Sequence, residues 1–314
     1  MYREPYHFNV SRYIDPQRFD QIRDFARGLD CPILIIDLDV IKKKYLELQQ
    51  SMPLASIYYA VKANPNDEVL RLLHALGSNF DVASVYELRQ LQRLGVEPDR
   101  MSYGNTIKKA KDIKFFFEQG IRRFVTDSEH DLEAIAQNAP GSQVYFRILT
   151  EGTGADWPLS RKFGAHPDMI YRLILKAAES NLDPWGISFH VGSQQTRLGA
   201  WDSALAEAKS IFDSLAGHGI TLSMVNLGGG FPTKYLKPVP GTGAYANAIH
   251  DSLAKHFGNA LPETIIEPGR GMVGNAGVVK AEVVLISKKH ANDNHRWVYL
   301  DIGKFGGLAE TMDE

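Results

Sequence analysis

Along the chain, short runs of β-branched and aromatic residues alternate with longer stretches whose apolar positions recur every three or four residues. Runs of the first kind read as strands buried on both faces, and the longer stretches as helices that bury one stripe. Strands are predicted at Ser56–Val61 (SIYYAV), Asn79–Ala83, Met101–Gly104, Arg122–Thr126, Gln143–Ile148, Gly186–His190, Leu222–Leu227 and Thr264–Glu267. Helical patterns fall between them at Asp67–Leu76, Ser84–Leu94, Ile107–Gln119, Glu129–Gln137, Pro167–Ser180, Ala200–Gly217 and Ala244–Phe257. Eight strands, each separated from the next by a helix, predict an α/β protein with a parallel sheet closed as a (β/α)8 barrel.

An extra strand, Ile33–Asp37, precedes the first, and a helix follows it at Asp39–Gln50. After Gly271 the pattern changes. Val278–Ser287 and Arg296–Ile302 alternate like strands with no helix between them, the opening of an additional antiparallel β-domain. The expected organisation is an N-terminal segment (1–30) joining the β-domain, a barrel over 31–270, and the start of the β-domain over 271–314. That last region offers barely two strands to bury, so the β-domain is expected to be truncated at the C-terminus.

Composition narrows the function. The 314 residues carry 35 Lys+Arg against 37 Asp+Glu, a formal charge of −2, which is no basic field for nucleic acid. No apolar run approaches the roughly 18 residues of a membrane span, and the N-terminus lacks a signal-peptide pattern, so a cytoplasmic location is expected. Cys31 is the single cysteine, which excludes a disulfide framework and thiolate clusters. The 10 histidines show no metal-ligand spacing, so no metal is expected.

Active sites of such barrels sit at the C-terminal ends of the strands. Lys62 closes the first predicted strand, Asp81 lies late in the second, Arg147 late in the fifth, and His190 ends the sixth. Gly228, Gly229 and Gly230 follow the seventh, and Glu267 ends the eighth. A lysine closing an apolar strand is expected to be partly desolvated, its pKa lowered and its amine a Schiff-base nucleophile. The triple glycine reads either as a simple turn or as backbone that approaches a phosphate closely, with Ser193 adding a hydroxyl. Beside a heteroaromatic ring, Glu267 would keep a ring nitrogen protonated. His190 reads as a stacking or a structural residue, and Asp81 and Arg147 as partners of a cofactor or of each other. The Gly-rich stretch Glu151–Ser160 (EGTGADWPLS) is expected to form a mobile flap over the barrel mouth.

Tyr58-Tyr59-Ala60-Val61-Lys62-Ala63-Asn64, His190-Val191-Gly192-Ser193, Gly228-Gly229-Gly230-Phe231-Pro232 and Glu267-Pro268-Gly269-Arg270 together resemble the fold-type III pyridoxal-phosphate decarboxylases, most closely the bacterial ornithine/lysine type. The resemblance runs from about Cys31 to the end. It implies an alanine-racemase-like (β/α)8 barrel plus a β-domain, with pyridoxal 5'-phosphate carried by Lys62. His190 would stack on the pyridine ring and Glu267 would pair with its nitrogen. Ser193, Gly228, Gly229, Gly230 and Arg270 would hold the phosphate. Arg147 would lie near the ring hydroxyl, and Asp81 on the polar side of the site. Alanine racemase puts an arginine opposite the ring nitrogen, so Glu267 points to decarboxylation.

The resemblance further implies a homodimer with shared active sites. The family's C-terminal β-domain supplies a cysteine, an acid and a phosphate-binding tyrosine that this sequence does not contain, so the chain alone is expected to lack a complete site. In the specificity segment Tyr299–Gly306, Asp301 stands one position before the family's substrate acid and Ile302 takes its place; Glu310, Asp313 and Glu314 are nearby acids. The implied activity is decarboxylation of ornithine, and secondly lysine, to putrescine or cadaverine for polyamine synthesis. The alternatives are a diaminopimelate or arginine decarboxylase of the same fold, and a non-catalytic regulator of the antizyme-inhibitor kind.

Overall fold

The computed structural model describes residues 9–159, 162–235 and 237–309. The chain divides into two compact units, one of residues 38–234 and 238–274, the other of the described residues up to Asp37, from Asn275 onward and at Tyr235–Lys237.

The larger unit is the predicted barrel. Its strands are β2 (Ala55–Ala60), β3 (Asn79–Val82), β4 (Met101–Tyr103), β5 (Arg123–Thr126), β6 (Gln143–Arg147), β8 (Asp183–Ser188), β10 (Met224–Asn226) and β11 (Glu263–Ile266). They close in the order β10-β11-β2-β3-β4-β5-β6-β8, all pairs parallel. Helices α2 (Leu38–Ser51), α3 (Asp67–Ala75), α4 (Val85–Arg93), α5 (Ala110–Glu118), α6 (Glu129–Asn138), α7 (Pro167–Glu179), α8 (Ala200–Leu215), α9 (Thr242–Phe257) and the short α10 (Arg270–Val273) complete the unit. Their starts are marked locally: Asn66 accepts the Glu68 N–H and Ser84 the Glu87 N–H, satisfying amides with no partner in the helix.

Tyr58, Val125, Tyr145, Trp185, Met224 and Ile265, each from a different strand, form one buried cluster. Tyr145 meets Trp185 edge to face at 6.0 Å, and the Tyr58 hydroxyl accepts from Arg123 at 2.6 Å. Gly186 lets β8 approach β10: a Cβ there would stand 2.1 Å from the Met224 carbonyl oxygen.

Two short strands were not predicted. β7 (Ala155–Trp157) pairs antiparallel with β9 (Ser193–Gln195), so the stretch expected as a mobile flap contains a strand tied to the segment after His190.

In the smaller unit, α1 (Pro16–Ala26) starts at Asp15, whose carboxylate accepts the Arg18 N–H. Arg18 grips Asp37 with two hydrogen bonds of 2.5 Å. β1 (Ile33–Ile36) pairs antiparallel with β12 (Gly277–Lys280), outside the closed barrel, so the contact division falls at Asp37 where the sequence reading drew the barrel from residue 31. The single strand expected over Val278–Ser287 is two, β12 and β13 (Val283–Ser287), and β13 forms a hairpin with β14 (Trp297–Leu300). Among the described residues no helix is long and apolar enough to cross a membrane.

Candidate active site

The predicted residues of the larger unit meet at the C-terminal ends of its strands. β2 ends at Ala60, and a single 3-10 turn, Val61–Ala63, turns Lys62 toward β3. Its Nζ stands 3.1 Å from Oδ2 of Asp81, whose carboxylate is almost wholly buried. Burial was expected to lower the Lys62 pKa. It is raised instead, because the Asp81 charge favours the ammonium more than burial penalises it. Asp81 has room only because residue 104 is glycine, where a Cβ would fall 1.6 Å from Oδ1. That Oδ1 is buried and has no hydrogen-bond partner among the described residues.

Glu267, past the end of β11, accepts from Asn226 Nδ2 at 2.5 Å. Burial, reinforced by the Asp81 charge, pushes its carboxyl up to about 7. Asn226 also accepts the Gly228 N–H at 2.9 Å, and Gly228 in turn accepts the Glu267 N–H at 2.8 Å, locking the end of β11 to the glycine loop.

Gly228 and Gly230 have φ of +66° and +99°, where a side chain is strained. A Cβ on Gly229 would lie 2.7 Å from the Glu267 carbonyl oxygen and 3.2 Å from His190 Nε2. The glycines therefore leave bare backbone facing His190.

His190 accepts the Gly192 N–H on Nδ1 at 3.0 Å, which leaves the ring proton on Nε2, and its carbonyl accepts the Thr150 hydroxyl. Burial, with Arg147 and Lys62 as neighbouring cations, pulls the imidazole down to about 3, so the ring is neutral. Arg147, at the end of β6, lies 5.1 Å from the centroid of Phe163; burial lowers its pKa and the charges of Glu267, Asp127 and Asp81 oppose the drop. Arg270 Nε donates to Ser193 Oγ at 3.0 Å, and its guanidinium lies over the Trp157 ring.

Sequence reading missed four contributors here. Asn226 stands two residues before the triple glycine, the one signal it offered. Glu87, whose carboxylate accepts the Ala83 N–H and is pushed up by burial, sits in a Ser84-x-x-Glu87 capping pattern. Gly104 and Trp157 act through spatial neighbours that no local pattern reveals.

Asp301 lies in the smaller unit, where it spans the base of the hairpin: its carboxylate accepts the Glu282 N–H at 2.9 Å and its own N–H donates to the Glu282 carbonyl. Glu310, Asp313 and Glu314 fall outside the described residues. A cavity of about 820 Å³, lined in part by Thr150, Val191 and Gln195, contains none of the predicted site residues.

The donor set fits pyridoxal phosphate. One amine stands where an aldehyde would be captured, an unpartnered buried carboxylate oxygen lies beside it, and bare backbone with a serine and an arginine forms an anion cradle. Residues 38–274 match the family described as pyridoxal-dependent decarboxylase, pyridoxal binding domain. The chain is 34% identical over 294 residues to a lysine/ornithine decarboxylase of Selenomonas ruminantium, covering 93% of this chain and 73% of that protein. It is similar to the crystal structure of SrLDC in complex with PLP and cadaverine, with TM-score 0.86, 32% identity, and 96% of this chain and 75% of that one covered. A lysine/ornithine decarboxylase from Vibrio vulnificus complexed with cadaverine gives TM-score 0.85 and 27% identity, over 96% of this chain and 79% of that one. With the strand ends, the glycine cradle and the matched barrel in agreement, the chain belongs to the pyridoxal-dependent decarboxylase family and its cofactor is pyridoxal phosphate.

Proposed function

We propose that this protein removes the α-carboxylate of a basic L-amino acid, ornithine foremost and lysine second, releasing putrescine or cadaverine for polyamine synthesis. The observation that carries this reading is the buried carboxylate of Glu267 in the same cluster as Lys62, Asp81 and His190. The cofactor, when bound, supplies an electron sink for the carbanion left as CO2 departs.

The chain's own residues make that sink effective. Lys62 is the amine that holds the cofactor's aldehyde carbon, and Asp81 orients it. Glu267, already proton-hungry through burial, holds a proton at the ring nitrogen; a guanidinium in its place would repel one. His190, kept neutral and fixed in one tautomer by the Gly192 N–H, offers a flat uncharged face to the ring. Arg147 would lie near the ring hydroxyl. Ser193, Gly228, Gly229, Gly230 and Arg270 bind the phosphate, and Asp301 takes the substrate's distal ammonium. The working assembly is a homodimer with shared sites, in the cytoplasm.

The relatives that bind cadaverine support a diamine product, and the intact Lys62, His190 and Glu267 speak against a non-catalytic regulator. CO2 release with pyridoxal phosphate from ornithine, lysine, arginine and diaminopimelate tests the reading. Release from ornithine or lysine is expected. Release from diaminopimelate or arginine alone would move the assignment to those decarboxylases, and silence on all four with full cofactor loading would favour the regulator.

A further inference from the structure

Gln194, the middle residue of β9, has φ +56°, one of three non-glycine residues with positive φ among the described residues. Left-handed backbone is unfavourable for a residue with a Cβ, and it persists only where the surroundings hold it. Here the side-chain amide is the hold. Its Nε2 donates to the Thr233 carbonyl at 2.6 Å, and its Oε1 accepts the Thr233 N–H at 3.0 Å. One amide thus takes both backbone groups of one residue, as a neighbouring strand would. Gln194 is 4% exposed and Thr233 1%, so breaking the pair would strand two backbone groups away from water.

The two partners belong to the two halves of the anion cradle. Gln194 follows Ser193 directly, and Thr233 stands three residues after Gly230. Near the glycines the halves meet through backbone: the Gln195 N–H donates to the Gly230 carbonyl at 2.9 Å. A Cβ on Gly230 would fall 2.6 Å from the Gly192 carbonyl oxygen, so the segments are in direct contact there. The Gln194 amide adds a second join farther along the chain. With its left-handed turn, the amide reaches Thr233 while the neighbouring Ser193 hydroxyl accepts from Arg270 Nε.

We propose that Gln194 is a positioning residue that clamps the serine segment to the glycine segment and sets the width of the phosphate cradle. This rests on the reading of Ser193 and Gly228 to Gly230 as ligands of the cofactor's phosphate. An anion held by donors from two separate segments binds tightly when their spacing is fixed beforehand. Without that, binding must itself order the segments, and the ordering is subtracted from the affinity. A strained backbone at Gln194 is the cost of placing the clamp between them.

The test uses the full chain, stripped of cofactor and titrated by absorbance with pyridoxal phosphate and with pyridoxal, which lacks the phosphate. Gln194→Met keeps the length of the side chain but forms neither bond. Gln194→Gly removes the side chain and relieves the backbone strain together. Each is expected to weaken pyridoxal phosphate by roughly 5- to 30-fold, the scale of one to two neutral hydrogen bonds, while pyridoxal changes by less than about twofold. Thermal unfolding of the cofactor-free variants shows which of them fold; where one does not, the other carries the comparison.

Equal losses for the two ligands would overturn the proposal, since Gln194 would then support the site as a whole rather than its phosphate end. An unchanged preference for pyridoxal phosphate in Gln194→Met would overturn it too, because filled volume and not the amide would be what matters. A parent protein that binds pyridoxal as tightly as pyridoxal phosphate would instead remove the cradle reading on which the clamp rests.

Discussion

Strand β6 of the barrel and strand β13 of the smaller unit are both apolar runs, QVYFR and VVLIS, yet Val144, Tyr145 and Phe146 are at most 1% exposed while Val283 to Ile286 are 50–63% exposed. The difference lies in what surrounds each strand. β6 has a parallel neighbour on each edge and α7 packed against it, whereas among the described residues β13 pairs with β14 alone. A polar group at the end of a strand inherits that environment. At the end of β11, Glu267 is driven to about 7 and held by Asn226. Past the end of β14, Asp301 braces its hairpin through the Glu282 N–H. Apolar strand composition is therefore a weak guide to chemistry. Burial on both faces creates a site, because it displaces pKa values and forces each charge to find a partner.

The contrast breaks most visibly at Lys62. Lys62→Ala is expected to lower turnover by more than ~10³-fold, because no other amine holds the cofactor in the proposed mechanism; absorbance of the purified protein will also show the cofactor lost on dialysis.

Packing comes next. Phe146→Ala removes a wholly buried ring and is expected to cost about 3–5 kcal/mol in urea unfolding. Val284→Ala, 63% exposed on the hairpin, is expected to stay within about 0.5 kcal/mol. Similar costs at both positions would erase the distinction between the two strands.

Glu267→Gln is expected to keep the cofactor bound while reducing decarboxylation by about 10²- to 10³-fold, the scale of losing one fixed electrostatic group. Steady-state kinetics with the bound cofactor quantified will separate this from simple loss of binding.

A smaller effect appears in the pH dependence of stability of the cofactor-free chain. His190 is held at about 3 against an ordinary 6.5, so below pH 6.5 the unfolded chain takes up a proton that the folded chain refuses. That contribution is complete above 6.5 and is lost as pH falls. Glu267, raised from 4.5 to about 7, has the opposite sign: between those values the folded chain keeps a proton that the unfolded chain releases, and stability falls as pH rises. Each slope is at most about 1.4 kcal/mol per pH unit. Relative to the parent, Glu267→Gln should make stability rise more steeply with pH between 4.5 and 7, and His190→Phe should make it rise less between 3 and 6.5; urea unfolding across that range measures both.

The smallest effect belongs to the smaller unit. Asp301→Asn is expected to raise KM for ornithine and lysine by about 10-fold, the size of one hydrogen bond to a charged group, with cofactor affinity unchanged.

All eight barrel strands were legible in the sequence because each is a largely buried segment set between two helical patterns, even where, as in β4 and β10, it is only three residues long. Lys62, His190, the triple glycine and Glu267 were legible because barrel topology assigns strand ends to chemistry. β7 and β9, no shorter than β4 and β10, were not legible because they are held by cross-loop hydrogen bonds and a glycine contact rather than by hydrophobic periodicity. The direction of the Lys62 shift was missed for a related reason. It depends on Asp81, nineteen positions away and brought beside it only by the pairing of β2 with β3. The long strand expected over Val278–Ser287 hid a break, since a local alternation rule does not report that its two halves pair with different partners, β1 and β14.

Borohydride reduction of the cofactor-loaded protein, followed by peptide mapping, tests the central claim most directly. A single pyridoxyl group on Lys62 is the predicted result. A pyridoxyl group on any other lysine, or none on a chain shown to carry a full complement of cofactor, would contradict it.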